Sequence, residues 1–262
     1  MSFLQLEYLV GELSTHPQRL TIGSGKLRYE SHSNLSNPGS LGIGVFERTL
    51  SEKEFEAIDS AFVPGAFAAL PDHRGQVLSG DRWRRIRLTV EGQTLDKLVG
   101  TKLPVDANLQ KAIDRLDRLV EDVKQHPLSV LRMNLRDPVV DRSGLFSAIL
   151  ELTGSGPQRV PFRSPLTLAD AAQGSLDVYW WPYRPDMSRS NVETTVINDV
   201  APVSDVQGGG LLGAFRIRAR LTSAPAGAFA LQVRYSNLAS KWDKSEVVVG
   251  QLFSIPVALT AK

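Results

Sequence analysis

The chain has 262 residues, 42% hydrophobic and 22% charged, which is ordinary globular composition and enough chain to bury two cores. Its 30 basic residues against 28 acidic ones leave a formal charge of +2, which argues against a dedicated nucleic-acid or membrane-surface protein, since those carry a large basic excess. With no cysteine, disulfides, thiolate metal sites and cysteine nucleophiles are excluded.

Residues 1–10 have no basic leading segment and already contain Glu7, so they do not read as a secretory signal. No apolar run approaches the roughly 20 residues of a membrane span. A reducing cytoplasm fits these features, and a periplasmic protein without disulfides would look the same.

In chain order, residues 3–10 are apolar enough for a strand or a short helix. Residues 19–22 and 26–31 are extended runs separated by Gly23-Ser24-Gly25, the pattern of a β-hairpin. Residues 31–42 are rich in Ser, Asn, Gly and Pro and read as a long mobile loop. Residues 43–49 have strand character and lead into a helix start, where Ser51 and Glu54 make a capping box. Phe55, Ile58 and Phe62 then form one face of a short helix that Pro64-Gly65 ends. Residues 85–90 alternate Ile86, Leu88 and Val90 with Arg85, Arg87 and Thr89, a strand with one wet face. Glu91-Gly92-Gln93 turns that strand into a partner over 94–99.

The strongest helical signal follows. Leu109, Ile113, Leu116, Val120 and Val123 repeat at helical spacing among charged neighbours, with Asp106 as the cap and His126-Pro127 as the stop. Beyond Pro127 the period changes to two, apart from a turn of helix suggested at 166–173. Alternating runs include Leu131, Met133 and Leu135; Leu176, Val178 and Trp180; Val192, Thr194 and Val196; and 253–259 at the end of the chain. Seven or so such strands, punctuated by turn residues, predict an antiparallel sandwich. The fold expected is a small α+β domain over 1–127, with β-hairpins and two helices, followed by an all-β sandwich over 128–262.

The stretch 221–235 runs from a strand through Pro225 and Gly227 to Phe229, Leu231, Val233 and Tyr235. It resembles the penultimate hairpin of immunoglobulin-like domains in bacterial proteins, which implies an Ig-like shape for the second domain. Phe229 stands where such domains often carry a corner tyrosine, and the Cys-Trp-Cys framework of antibody domains is absent. In 42–54 a Gly-rich strand runs into Leu50-Ser51-x-x-Glu54. That stretch resembles small α+β domains of bacterial inhibitor and immunity proteins.

No motif fixes a reaction. His16, His32, His73 and His126 stand at no ligand spacing. Ser24 and Ser155 sit in Gly-Ser-Gly turns rather than a nucleophile elbow. Gly208-Gly209-Gly210 precedes a strand, so no helix dipole would face a bound phosphate. No cofactor or metal is expected.

Two candidate binding surfaces remain. One is basic: Arg82, Trp83, Arg84, Arg85 and Arg87, with Arg74 upstream, a composition that grips an anionic partner. The plain alternative is that these arginines line the wet side of a strand. The other is aromatic: Trp181, Tyr183 and Arg184, with alternation sending Trp180 into the core and Trp181 away from it. Its plain alternative is a buried tryptophan with packed neighbours. The reading favours a non-enzyme, a protein-binding module of inhibitor or immunity type that meets a protein partner through loops and edge strands. Its rivals are a hydrolase with a site assembled between the domains and a carbohydrate- or envelope-binding protein. The oligomeric state stays open.

Overall fold

The computed structural model describes residues 5–12, 17–35, 42–77, 81–105, 107–167, 174–222, 227–237 and 250–260. By internal contacts the chain divides into two units. Met1–Ser31 and Val45–Leu128 make the first, and His32–Gly44 and Ser129–Lys262 make the second. The segment 32–44 therefore packs with the second unit although it lies early in the sequence.

The first unit contains β1 (Gln5–Glu12), β2 (Gln18–Gly23), β3 (Lys26–Ser31), β4 (Ile43–Thr49, in this unit from Val45), α1 (Glu52–Asp59), α2 (Pro64–Ala68), β5 (Arg82–Val90), β6 (Gln93–Gly100) and α3 (Ala107–Val123). Its strands lie in the order β4-β3-β2-β1-β5-β6, and the pairs β1/β2, β2/β3, β1/β5 and β5/β6 are antiparallel. Both tight hairpins turn on left-handed pairs, Ser24-Gly25 at φ 53° and 72° and Glu91-Gly92 at φ 50° and 80°. These are the mirror-image turns that match strand twist.

Period two sends Leu6, Tyr8, Leu20, Ile22, Ile86 and Leu88 to one buried face. The same face takes the stripe of α3 predicted from its spacing, whose Leu109, Ile113, Leu116, Val120 and Val123 are all buried. Tyr8 fixes the contact by donating to Asp117 Oδ1 of α3 at 2.7 Å. The capping box is formed as expected, with Ser51 Oγ accepting the Glu54 amide and Glu54 accepting the Ser51 amide. Pro64, expected only to end a helix, also begins α2, because proline's missing N–H costs nothing in a first helical turn. Asp106 lies outside the described residues.

The second unit holds β7 (Pro127–Val140, in this unit from Ser129), β8 (Leu145–Ser155), β9 (Gly174–Pro182), β10 (Glu193–Val196), β11 (Asp199–Pro202), β12 (Leu211–Arg220), β13 (Ala228–Asn237), β14 (Gly250–Phe253) and β15 (Val257–Thr260). One sheet runs β11-β12-β8-β7 and the other β10-β9-β13-β14, with β15 also paired to β13. Leu150, Leu152 and Ile217 from the first sheet share one core with Val178, Leu231 and Tyr235 from the second. Two antiparallel sheets closed over a common core have the arrangement of a β-sandwich.

Three expectations change. The stretch 221–235 is not a hairpin: β12 pairs with β8 and β11, while β13 pairs with β9, β14 and β15, so the chain crosses between sheets there. Both strands are apolar on alternate residues because they face each other across the core. Residues 253–259, read as one strand, form two, broken where Ser254 turns in to donate from Oγ to Ile255 O and accept the Val233 amide. Within the segment read as a mobile loop, 32–35 is pinned, with Gln251 N donating to His32 O at 3.0 Å. Residues 36–41 of that segment and 168–173 of the suggested helical turn lie outside the described residues. No helix among the described residues is long and apolar enough to cross a membrane.

Candidate functional site

The basic run of β5 does not form one patch. A strand sends neighbours to opposite faces, so Arg84 points with Ile86 and Leu88 toward α3, while Arg85 and Arg87 point to the other face. Arg84 donates from Nε to Tyr8 Oη at 2.9 Å and pairs with Asp117 at 3.2 Å. Arg85 forks onto the Asp96 carboxylate, its Nε reaching both oxygens at 2.8 and 3.1 Å. That hydrogen bond holds the Asp96 carboxyl below its ordinary range. Arg87 pairs with Glu7 at 2.9 Å, and Glu7 also takes Arg19 at 2.6 Å. Arg74 reaches Asp96 at 3.3 Å.

Arg84, Arg85 and Arg87 are thus matched to carboxylates of their own unit, and the outward face carries a lattice of ion pairs rather than a basic surface. Arg82 lies exposed at the start of β5, and Trp83 is half-buried beside Gly11 with no hydrogen-bond partner for its Nε1 among the described residues. A shallow depression of about 380 Å³ lies over Glu7, Arg19, Arg87 and Asp96.

The aromatic candidates separate as well. Trp180 enters the core as expected. Trp181 points the other way, yet it is only 1% exposed. The guanidinium of Arg189 sits 5.3 Å from its ring centroid and donates to Gln232 Oε1. Gln232, itself fully buried, donates onward to Ser254 O at 2.6 Å. Beside it Arg234 grips Asp177 at 2.7 and 3.0 Å and lies over the Tyr179 ring. The indole Nε1 of Trp181 and the hydroxyls of Ser188 and Ser190 are buried with no hydrogen-bond partner among the described residues. Trp181 therefore offers no open platform for a sugar ring, whereas Tyr183 and Arg184 are exposed.

Strand edges complete the picture. On β6 part of the outward edge is occupied: His73 N donates to Leu98 O at 2.7 Å, Leu98 N donates to Asp72 Oδ1 at 3.2 Å, and Arg74 donates to Asp96 O at 3.3 Å. On β10 they are open. Ile197 N bonds Leu176 O at 2.7 Å, and the register continues through Thr195 opposite Val178 and Glu193 opposite Trp180. An antiparallel ladder alternates bonded and non-bonded pairs, so the amides and carbonyls of Thr194 and Val196 point away from β9. Among the described residues nothing bonds them. Val192 and Val196 share a face there and are exposed, Val196 by 53%.

The alternation of Val192, Thr194 and Val196 revealed a strand, but its place at an edge depends on pairing across distant sequence. Arg189, Gln232 and Asp177 carry no local signal of their contact with the aromatic group. Among the described residues no cluster of three or more His, Asp or Glu is placed to hold a metal ion.

No family model and no curated protein matches the chain. Among solved structures it is similar to a DUF3823 family protein from Bacteroides uniformis ATCC 8492, at 11% identity, over 99% of this chain and 90% of that one, with a TM-score of 0.28. A superposition that loose carries no functional argument.

Proposed function

We propose that this protein is a non-catalytic protein-binding module that takes an extended segment of a protein partner onto the open edge of β10. The observation that carries the reading is the outward pair of Thr194 and Val196, with main-chain groups unbonded among the described residues and apolar side chains beside them. Strand addition needs those two features: a ladder of donors and acceptors for affinity, and alternate side chains for selectivity. Exposed Tyr183 and Arg184 lie in the loop that leads from β9 toward this edge and supply the residue types that anchor interfaces. In this reading 128–262 is an Ig-like sandwich and 1–127 a small α+β domain. The inhibitor or immunity character rests on the resemblance at 42–54.

Val196→Pro tests the reading. Proline removes a donor that faces away from the sheet, so the fold tolerates it. The protein already carries such a case in Pro202: Val203 N donates to Ala214 O, which turns the nitrogen of Pro202 outward on the edge strand β11. A stoichiometric protein partner captured by the wild type and lost by a folded Val196→Pro variant supports strand addition. Capture of the same partner with equal affinity by the variant rejects it. A catalytic turnover abolished by one point mutation would reject the non-catalytic part.

A further inference from the structure

The helices of the first unit leave a groove that their own side chains do not fill. It measures about 330 Å³, within the lower range of small-molecule sites. One wall is apolar and comes from α2 and the turns on either side of it, with buried Phe62 and Phe67 and, beyond them, Leu70. The other wall is α3. Helical geometry gives α3 two neighbouring stripes. The first, through Leu109, Ile113 and Leu116, is buried. The second, through Asn108, Lys111, Ala112 and Arg115, lines the groove. Ala66 and Ala112 face it from opposite sides, and their short side chains keep it open.

The charge along this groove is of one sign. Lys111 and Arg115 line it, and among the described residues no carboxylate does. Arg115 spends one nitrogen on Ala57 O at 2.6 Å, which fixes its head beside the end of α1. Lys111 is exposed and has no ion-pair partner among the described residues. Arg84, Arg85 and Arg87 of this unit, by contrast, each meet a carboxylate. An apolar trough with two cations on one rim is complementary to a molecule with an apolar tail and a single anionic head.

We infer that this groove binds a single-chain amphiphilic anion, with a medium-chain carboxylate as its simplest form. The tail lies against Phe62, Phe67 and Leu70, and the head group meets Lys111 and Arg115. The site is separate from the β10 edge and stands or falls independently of it.

The test is an amide-resolved NMR titration of the full chain with decanoate, decanol and acetate, repeated on Ala66→Trp and Lys111→Glu. Ala66 and Lys111 are both exposed, so these variants keep the fold, which their unperturbed amide spectra verify. Decanoate is expected to shift amides in 61–70 and 108–115. Ala66→Trp, which fills the groove, abolishes those shifts. Lys111→Glu weakens binding roughly tenfold, the cost of one charge-assisted contact. Acetate, with no tail, shifts nothing, and decanol binds more weakly than decanoate. The inference is overturned if decanoate leaves these amides unmoved, if both variants bind as the wild type does, or if decanol binds as tightly as decanoate.

Discussion

The side chain of Asn34 holds both polar main-chain groups of Phe253: Nδ2 donates to Phe253 O at 3.0 Å, and Oδ1 accepts the Phe253 amide at 2.7 Å. The two residues stand 219 positions apart, and Asn34 is 1% exposed. Asn34 thereby acts as one residue of an extra strand beside β14, and it ties an early segment into the second unit. In Asn34→Ala a buried amide and a buried carbonyl lose their partners together, at about 2–4 kcal/mol. Urea unfolding of the variant checks this. Asn34→Asp keeps an acceptor but loses the donor and buries a carboxylate, so it is expected to be the less stable of the two at neutral pH and to recover in part on acidification.

The burial of Trp181 assigns it a structural part that exposed Tyr183 and Arg184 do not share. Trp181→Ala is expected to cost about 3–5 kcal/mol through the cavity it leaves. Arg189→Ala is expected to cost no more than about 1 kcal/mol, since it removes a cation–π contact and one hydrogen bond at a half-open site. It also uncovers the indole. Acrylamide quenching measures the difference: the Arg189→Ala protein should quench more readily and emit further to the red than wild type. Equal quenching would show that Arg189 does not cover the ring.

Glu54 carries a pH dependence whose sign follows from its partners. Arg48, then the Ser51 side chain and amide, hold its carboxyl at about 2, against an ordinary value of 4.5. A carboxyl with a depressed folded-state pKa stabilises the fold fully above its unfolded value and loses that contribution as pH falls through the folded one. The start of α1 therefore weakens between about pH 4.5 and pH 2. Glu54→Gln is expected to flatten the fall of thermal stability over that interval. The group is fully exposed, so the difference is small and is best read as a slope across several pH values at low salt.

Elements whose pattern is local were legible in the sequence. The stripe of α3, the Ser51–Glu54 capping box and the hairpin turning on Glu91-Gly92 each need only residues within a few positions of one another. What the sequence concealed depends on partners brought from far away. The alternation of β12 and β13 is the same whether they pair as neighbours or face each other across a core. Their sheet membership is decided by β8 and β9, which lie many residues earlier. Clustering on β5 marked its arginines, but only the register with Glu7 and Asp96 reveals that the charges are answered. Trp181 was placed on the correct side of its strand, and its cover came from Arg189, which no period connects to it.

The latch that Asp72, His73 and Arg74 lay along β6 closes part of that edge to a further strand. An unguarded edge strand is a template onto which another chain can add. With the amide and carbonyl of Leu98 and the carbonyl of Asp96 already bonded, β6 makes a poor template across that stretch. A strand from another copy would have to break those bonds before it could pair there, which guards this stretch of the first unit's sheet against edge-to-edge growth.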